Sequence, residues 1–406
     1  MDADLAIIGA GAAGLMAGIW AGRTQRSRRI VMLDGARKLG AKILVAGGGR
    51  CNVTHEQVDA SAYAGGSRHA INKVLRRFDV PETVAFFEAL GVQLKREETG
   101  KLFPTTDDAH TVLRALLNAA RAAGVDVRHP CRVESIERLN EGFCIAGSWG
   151  KLVAQRIILA TGGCSLPKSG SDGHGYQLAR ALGHSLTPCI FPALVPLLLP
   201  SDHPLCALSG LSAVVTLHVQ ASSGRRLQSF TNALLCTHFG ISGPAALDIS
   251  RYWTAARFDD PGAALIVNWL PNQTTETIDT ALRTPAGRTP LSLLSGHLPE
   301  RLIRTLCAMA GAEPTQRTDQ LSRARRRALA AHLTALKLPI TGDRGFTYAE
   351  VTAGGIPLTE INLLTMESRA CPGLFLCGEI CDVDGRIGGF NFQWAWSSGY
   401  VAGISA

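Results

Sequence analysis

The first feature of this sequence that could do chemistry is a turn of small residues between an apolar run and a helix. Leu5 to Ile8 form a short apolar run, which is typical of a buried parallel strand. The turn that follows fits G-x-G-x-x-G, with Gly9, Gly11 and Gly14 at the glycine positions. Glycines at this spacing allow a tight turn, close approach of a pyrophosphate to the backbone, and tight packing of the helix on the strand. The start of the helix would offer free N–H groups to the phosphates.

A carboxylate stands where such a fold recognises a ribose. A second apolar run ends in Asp34, twenty residues after Gly14. A carboxylate at this distance can accept hydrogen bonds from both hydroxyls of an adenosine ribose, and it repels a 2′-phosphate. The pattern therefore predicts a site for FAD or NAD rather than for NADP.

A long loop, Gly35 to His55, is predicted to follow this strand. The segment is not periodic and contains three consecutive glycines, Gly47 to Gly49. Four positive charges lie in it: Arg37, Lys38, Lys42 and Arg50. A glycine cluster followed by a cation suits backbone approach to an extended, anionic ligand. The alternative is a flexible basic surface loop.

Two later segments repeat the pattern of an apolar strand followed by small residues. The run Gln155 to Leu159 ends in A-T-G-G, where only small residues would fit beside an adenosine or a pyrophosphate. Near the C-terminus, Gly373 to Cys377 leads into Gly378-Glu379, and Gly389 opens the last helix. The small residues of that helix would pack tightly against the small face of the first helix. We expect the two ends of the chain to build one nucleotide-binding domain.

FAD is long enough to need both an adenosine end and a flavin end, and these segments supply both. We expect backbone N–H groups near Asn391 and Phe392 to face the N1/O2 edge of the flavin and to stabilise negative charge there. The residues predicted to contact FAD are Gly9, Gly11, Ala12, Ala13, Gly14, Asp34, Gly35, Lys38, Lys42, Gly48, Gly49, Arg50, Cys51, Asn52, Val133, Ala160, Thr161, Gly162, Gly378, Glu379, Gly389, Phe390, Asn391 and Phe392.

The middle of the chain has a different character. Residues 191–270 contain alternating stretches typical of an antiparallel β unit, whereas the pattern from Gln273 to Leu336 is helical, with Pro285 among the prolines that punctuate it. The predicted fold is therefore α/β. A discontinuous Rossmann-like FAD-binding domain covers residues 1–190 and 345–406, with an inserted β-rich domain at 191–270 and a helical subdomain at 271–344.

Composition and charge limit the class of protein. Of 406 residues, 46% are hydrophobic and 18% are charged, so a sizeable core can be buried. The net charge of +8 permits an acidic partner without demanding one, and nucleic acid is not the favoured partner. The eleven cysteines are scattered and include no C-x-x-C, which indicates reduced thiols rather than a disulfide framework or a metal site. Acidic residues at the N-terminus and the lack of a long apolar run predict a soluble cytoplasmic protein without a membrane partner.

Several blocks of the sequence resemble one family. K-I-L-V-A-G-G-G-R-C-N-V-T, A-T-G-G, T-H-F-G-I-S-G-P and G-E-I-C-D-V-D-G-R-I-G-G-F-N-F-Q-W-A-W-S-S-G are similar to blocks of the BaiN/RdsA-type bacterial flavoproteins, which are described as NAD(P)/FAD-dependent oxidoreductases. The matches extend over essentially the whole chain. The resemblance implies one FAD per chain and an inserted domain. Similar proteins are linked both to oxidation of small amines such as aminoacetone and to reduction of steroid-like enones, so no substrate follows from it.

The leading prediction is an FAD-dependent oxidoreductase that acts on a small molecule, either as a reductase using NAD(P)H or as a small-amine oxidase. No second G-x-G-x-x-G follows a strand, so NAD(P)H would dock only transiently as an electron donor. His238 and Phe239 are candidates to line the substrate pocket, and no catalytic residue is identified. Cys51 has no partner at the spacing of a disulfide reductase.

The main alternative is an FAD-dependent flavoprotein that modifies or binds RNA, because FAD enzymes that modify tRNA share this nucleotide fold and the chain is basic. A third possibility is a flavin-binding protein without turnover. The basic segment Arg323 to Arg327 is interpreted as a solvated helix face rather than as a nucleic-acid patch.

Overall fold

The computed structural model of the chain describes residues 1–283 and 287–406. Pro285 lies outside these residues. The helices of the described part are α1 (Ala12–Thr24), α2 (Ala41–Gly49), α3 (Arg68–Leu75), α4 (Val80–Ala89), α5 (Ala109–Ala122), α6 (His174–Ala181), α7 (Gly243–Asp259), α8 (Thr275–Ala281), α9 (Pro290–Leu294), α10 (Glu300–Met309), α11 (Arg323–Thr334) and α12 (Phe390–Ser405).

The strands of the same residues are β1 (Ala3–Ile8), β2 (Ile30–Leu33), β3 (Thr54–His55), β4 (Tyr63–Gly65), β5 (Leu94–Arg96), β6 (Lys101–Pro104), β7 (Val125–Arg128), β8 (Ser135–Arg138), β9 (Phe143–Gly147), β10 (Gly150–Leu159), β11 (Phe191–Ala193), β12 (Leu197–Leu198), β13 (Ser212–Gln220), β14 (Arg226–Thr237), β15 (Gly240–Ser242), β16 (Ala264–Asn268), β17 (Leu336–Leu338), β18 (Gly342–Asp343), β19 (Val351–Ala353), β20 (Ile361–Asn362), β21 (Glu367–Ser368), β22 (Leu374–Leu376) and β23 (Val383–Gly385).

The described chain divides into two compact units. The first consists of Met1–Pro192 together with Glu350–Ala406, and the second of Ala193–Ala349. Each unit has its own hydrophobic core.

The first unit is built on a sheet whose order is β20-β21-β22-β10-β1-β2-β7, extended by β9 beside β10 and β8 beside β9. The strands β22, β10, β1, β2 and β7 are parallel to one another. Every residue of β2 is buried, as are all but one of β1, because a parallel sheet covered on both faces needs apolar side chains on both. The carboxyl ends of β1, β2 and β10 therefore meet at one edge of the sheet.

The first and last helices of the chain pack through small residues. A Cβ at Gly399 of α12 would lie 2.5 Å from the carbonyl oxygen of Ala13, and a Cβ at Gly403 would lie 2.9 Å from the Cα of Ala17. Only glycine leaves room for so close an approach. The predicted contact between the small faces of these helices is confirmed.

Local signals place several other elements of the first unit. The strands β5 and β6 pair antiparallel as a hairpin. Helix α4 begins with a capping box, in which Asp79 accepts from the N–H of Glu82 at 3.1 Å and Glu82 accepts from the N–H of Asp79 at 2.9 Å. Asp108 caps α5 by accepting from the N–H of His110 at 2.9 Å.

The predicted loop from Gly35 to His55 is interrupted by α2, which begins at Ala41, and its last two residues form β3. Only the first five residues of α2 are helical, since Ala46, Gly47 and Gly48 leave helical geometry. A helix of little more than one turn shows no periodicity in sequence.

The second unit contains a seven-stranded sheet of order β17-β16-β13-β14-β15-β12-β18. Every pair of neighbouring strands in this order is antiparallel. Helix α7, which no pattern in the sequence predicted, occupies 17 residues of the segment 191–270 that was predicted to be β-rich. β17, which the sequence pattern did not predict, lies in the predicted helical subdomain and pairs with β16. Strand pairing across about 70 residues leaves no local signal.

Candidate functional site

The glycine turn between β1 and α1 has an open position suited to a phosphate. Gly9 has φ of 105°, and a Cβ there would lie 2.9 Å from the carbonyl carbon of Ala160. A Cβ at Gly14 would lie 3.0 Å from the carbonyl carbon of Gly9. At Gly11, in contrast, a Cβ would meet nothing within 4 Å, and no side chain caps this end of α1 in the described structure. Two glycines thus serve packing, while the third leaves free space beside uncapped helix N–H groups.

Asp34 is held at the edge of the sheet by two backbone amides. Its Oδ2 accepts from the N–H of Ala10 and its Oδ1 from the N–H of Ala36, both at 2.7 Å. Each carboxylate oxygen keeps capacity for a further hydrogen bond. The carboxylate is therefore fixed beside the glycine turn, where a ribose would need two acceptors.

The segment after β7 lies against Asp34 and completes this end of the site. The N–H of Cys131 donates to the Asp34 carbonyl at 2.7 Å. A Cβ at Gly35 would be 3.1 Å from the Cβ of Arg132, and Val133 is buried. The structure thus brings Asp34, Gly35 and Val133, all predicted from sequence, into one neighbourhood.

The A-T-G-G turn meets the first glycine turn across the sheet. The N–H of Ala160 donates to the carbonyl of Ile8 at 2.9 Å. The hydroxyl of Thr161 is buried and has no hydrogen-bond partner among residues 1–283 and 287–406. A Cβ at Gly175 would lie 2.6 Å from the Cβ of Thr161, so this side chain packs against the start of α6.

A polar cluster gathers four distant segments around Lys42. The Nζ of Lys42 donates to Glu379 Oε2 at 2.6 Å, to Ser165 Oγ at 2.8 Å and to Ser171 Oγ at 3.1 Å. Glu379 Oε1 in turn accepts from Ser165 Oγ at 2.8 Å and from the N–H of Thr352 at 2.9 Å. Lys42 and Glu379 were predicted from sequence. Ser165, Ser171 and Thr352 were missed, and their places close to glycines in the sequence were the signal for them.

The glycine segment Gly47 to Gly49 forms a concave run of backbone. All three residues have positive φ, of 58°, 70° and 87°, a conformation that glycine adopts without strain. A Cβ at Gly48 would meet nothing within 4 Å. The neighbouring Asn52 is buried, and within the described residues its Oδ1 has no hydrogen-bond partner.

Arg50 and Lys38 have surroundings that differ from those of the residues above. Arg50 Nη1 donates to Glu97 Oε1 at 2.6 Å, and the guanidinium lies 4.0 Å from the centre of the Phe103 ring. Arg50 thus fastens the glycine segment to the hairpin of β5 and β6. Lys38 is exposed, as is Arg37, and the structure does not bring either into the Lys42 cluster.

The N-terminus of α12 is shaped by backbone and by Asn391. Gly389 precedes the helix with φ of 95°, and no described side chain caps it. The side chain of Asn391 accepts from the N–H of Gly385 at 2.8 Å and donates to the Gly385 carbonyl at 2.9 Å. Phe390 stacks on His55 with ring centres 5.0 Å apart. The first N–H groups of the helix have no acceptor within it.

Gly378 is tied to the same helix. Its N–H donates to Ser398 Oγ at 3.0 Å, and its carbonyl accepts from Trp394 Nε1 at 3.0 Å. The turn that carries Glu379 and the start of α12 are therefore parts of one rigid arrangement.

The two residues predicted to line a substrate pocket lie in the second unit. His238 is exposed, and its ring centre is 5.0 Å from that of Phe239. The guanidinium of Arg344 lies 4.3 Å from the Phe239 ring centre. Their role towards a substrate remains a prediction.

The cysteines of this region are buried thiols. Burial raises the pKa of the Cys51 thiol to about 12 and the pKa values of Cys377 and Cys381 well above their usual range, because a thiolate is disfavoured away from water. All eleven cysteines lie in the described part of the chain and are free. Cys51 is therefore not a thiolate nucleophile at neutral pH.

Residues 1–283 and 287–406 contain no group of three His, Cys, Asp or Glu side chains that could hold a metal ion. Among the helices that the structure describes, none is both long and apolar enough to cross a bilayer.

Three features of the first unit define a dinucleotide-binding protein of the Rossmann type. They are a parallel sheet with an open glycine turn, a carboxylate at the ribose position, and a second helix that begins after glycines. The family model described as HI0933-like protein Rossmann domain matches residues 3–405, and the chain belongs to this family. The match confirms both the predicted α/β fold class and the BaiN/RdsA-type resemblance. The protein is an FAD-dependent oxidoreductase, as predicted.

Relatives match along nearly their whole lengths. A Clostridium scindens protein named 3-dehydro-bile acid delta(4,6)-reductase is 35% identical over 99% of this chain and 98% of its own. An Escherichia coli protein named ribosomal RNA dihydrouridine synthase is 35% identical over 98% of this chain and 96% of its own. A Haemophilus influenzae protein of the same name is 33% identical over 98% of this chain and 97% of its own.

Solved structures share the fold at low sequence identity. The chain resembles a 3-ketosteroid delta1-dehydrogenase from Sterolibacterium denitrificans with a TM-score of 0.53 and 12% identity, over 99% of both chains. It resembles the E. coli quinol fumarate reductase FrdA with a TM-score of 0.52 and 16% identity, over 100% of this chain and 69% of the other. These likenesses concern the fold alone.

Proposed function

We propose that this protein is an FAD-dependent reductase of a carbon–carbon double bond conjugated to a carbonyl group, with the uracil ring of RNA as the favoured substrate. The observation that carries the proposal is the near-full-length relationship to two differently named kinds of protein. Dihydrouridine is uridine whose C5=C6 bond, conjugated to the C4 carbonyl, is saturated. A delta(4,6) bond system next to a 3-oxo group is the same electronic arrangement in a steroid. One chemistry therefore accounts for both names.

The residues of the first unit fit FAD along its length. Asp34, Gly35 and Val133 would hold the adenosine, and the open space at Gly11 would admit the pyrophosphate to the start of α1. Lys42 and Glu379 would lie towards the ribityl chain. The amide oxygen of Asn52, beside the glycine segment, has no hydrogen-bond partner among the described residues. When bound, reduced FAD would supply a hydride to the electron-poor carbon of the substrate, and the adjacent carbon would take a proton from solvent.

The start of α12 would set the electrostatics of the flavin end. Its N–H groups and the positive end of its dipole favour negative charge nearby. Asn391 holds the strand before the helix by two hydrogen bonds to Gly385, so these N–H groups are oriented in advance. Donors fixed before the reaction stabilise developing charge at no cost in reorganisation.

NAD(P)H is the proposed electron donor and would dock transiently. No second G-x-G-x-x-G follows a strand of the sequence, so a permanent second dinucleotide site has no support. The name of the bile-acid reductase, and the saturated bond of the product that the dihydrouridine synthases are named for, favour this direction over oxidation of a small amine.

RNA is favoured over a small molecule by charge as well as by the names of two relatives. The chain carries 41 Lys and Arg against 33 Asp and Glu, and a basic surface is attracted to the phosphate backbone of nucleic acid. The sequence alone favoured a small-molecule substrate, and a steroid-like enone remains the second candidate because of the bile-acid reductase relative.

The proposal is tested by turnover with both kinds of substrate. The purified holoenzyme is incubated with NADH or NADPH and either a uridine-containing RNA or a 3-oxo-4,6-diene steroid acid. We expect uridines of the RNA to gain two hydrogens, detected by mass spectrometry of the nucleosides. Gain of hydrogen only by the steroid would move the assignment to the second candidate, and no gain by either would overturn the proposal.

A further inference from the structure

The outer face of α3 lines an open depression of about 320 Å³ with polar side chains. His69, Asn72, Lys73 and Arg76 form its wall, and we call it the α3 pocket. These positions have the spacing i, i+3, i+4 and i+7, so they share one helix face. The opposite face of α3 is apolar and buried. The helix is anchored by its inner face and presents these four polar residues on its outer face.

The α3 pocket carries positive charge that the protein does not neutralise. Lys73 and Arg76 are exposed and form no ion pair among the residues that the structure describes. The segment from Arg68 to Arg77 contains no acidic residue. The next acids along the chain, Asp79 and Glu82, are engaged in the capping box of α4.

Both ends of α3 are fastened to elements of the proposed flavin end. Before the helix, β4 pairs with β23, which leads into α12. After it, the carbonyl of Phe78 accepts from Gln393 Nε2 at 2.9 Å and from Ser397 Oγ at 2.7 Å, both on α12. The α3 pocket is therefore held on the same rigid unit as the start of α12.

We propose that the α3 pocket binds a phosphate group of the RNA substrate, an assignment that rests on the proposed function. An ammonium, a guanidinium, an imidazole and an amide on one face supply charge and several donors, which is the set that a phosphodiester accepts from. A phosphate contact carries no sequence information but fixes the register of the chain. Held on the unit that carries the flavin, it would orient the strand from which a uracil is presented.

The test is the double variant Lys73→Gln/Arg76→Gln in the FAD-loaded enzyme, with a uridine-containing oligoribonucleotide as the probe. Binding is measured over a range of salt concentrations. We expect affinity at low salt to fall about tenfold, and the steepness of log K against log salt to fall by roughly 0.7, since one phosphate contact to a single strand contributes about 0.7. Unchanged flavin content and melting temperature would show that the variant is folded. The charge reversal Lys73→Glu should weaken binding as well.

The matched control is Arg323→Gln/Arg327→Gln, which removes the same charge from an exposed face of α11. We expect it to change affinity less than twofold. Equal losses of affinity in both variants would show general charge attraction and would overturn the assignment of a phosphate to the α3 pocket. No loss of affinity in either variant would also overturn it. A raised NAD(P)H concentration for half-maximal flavin reduction, with RNA binding unchanged, would overturn the RNA assignment. RNA that binds through the pocket but gains no hydrogen would contradict the proposed function alone.

Discussion

At the scale of the residue, the glycines of the first turn have two different roles: Gly14 is required for packing within the protein, whereas Gly11 leaves space for a ligand. A Cβ at Gly14 collides with the backbone of Gly9, whereas a Cβ at Gly11 enters open space. The motif G-x-G-x-x-G assigns roles to both positions, but the sequence alone cannot tell which space the protein itself fills.

We predict opposite phenotypes for the two alanine variants. Gly11→Ala should leave the melting temperature of the flavin-free protein within about 2 °C of wild type, because its new methyl group meets nothing, yet weaken FAD binding at least tenfold by occupying the space of the pyrophosphate. Gly14→Ala should destabilise the flavin-free protein by about 2 kcal/mol or more, since backbone must move. Differential scanning fluorimetry and flavin titration measure the two effects. Normal FAD affinity in Gly11→Ala would contradict the assigned phosphate position.

Cys51 provides a test of the chemistry that the protein does not use. Burial raises its pKa to about 12, so the thiol stays protonated in the native protein far above the pH at which an unfolded cysteine ionises. We predict that iodoacetamide at pH 8 leaves Cys51 unlabelled in the native protein and labels it after unfolding in guanidinium. Peptide mass spectrometry reads the site, and the unfolded sample is the control. Rapid native labelling of Cys51 would reopen a thiol-based mechanism.

The full membership of the Lys42 cluster could not be predicted from single residues of the sequence. Lys42 and Glu379 are separated by 337 positions, and each was identified by its place beside a glycine-rich turn. The serines that complete the cluster follow such turns too, but serine is common in loops. Their roles depend on which turns the sheet brings together.

At the scale of the element, the strands and helices with strong local patterns were predictable and the others were not. The β5–β6 hairpin, the Asp108 cap of α5 and the contact of α1 with α12 follow from turn chemistry, capping and small residues. Helix α7 was missed because Gly243 and Pro244 open it, and this pair reads equally well as a turn between strands. Helix α2 is too short for periodicity to reveal.

Helix α12 allows the proposed charge stabilisation to be tested through its backbone. Phe392→Pro removes one N–H in the first turn, where proline is tolerated because that N–H makes no intrahelical bond. We predict a fall in the flavin reduction potential of about 30–60 mV, since a hydrogen bond to a charged group contributes about 1.5–3 kcal/mol and 30 mV corresponds to about 1.4 kcal/mol for two electrons.

The matched control is Phe392→Leu. It also removes the ring that stacks on Trp396 at 5.5 Å, but it keeps the N–H. Its potential should stay near that of the wild type. If both variants shift the potential equally, or if neither does while FAD remains bound, α12 does not act on the flavin through this N–H.

At the scale of the whole molecule, the return of glycine-rich strand ends near the C-terminus indicated one nucleotide-binding domain assembled from both ends of the chain. The fold class was predictable because each crossing of the sheet leaves an apolar run and a small-residue turn. The substrate was not predictable, because the motifs of a flavin site indicate redox chemistry but not the molecule that is oxidised or reduced. The α3 pocket combines residues whose types are ordinary for an exposed helix, and its shape emerges only from the fold.

The most direct test of the account is the oxidative half-reaction. The FAD-loaded enzyme is reduced photochemically without oxygen or nicotinamide and mixed with a uridine-containing RNA, while the visible flavin band is followed. We predict that the band returns as uridine gains two hydrogens, one dihydrouridine for each flavin reoxidised. Two results would contradict the assignment as a reductase of conjugated double bonds. In the first, the flavin stays reduced with RNA and with a 3-oxo-4,6-diene steroid; in the second, it is reoxidised but neither substrate gains hydrogen.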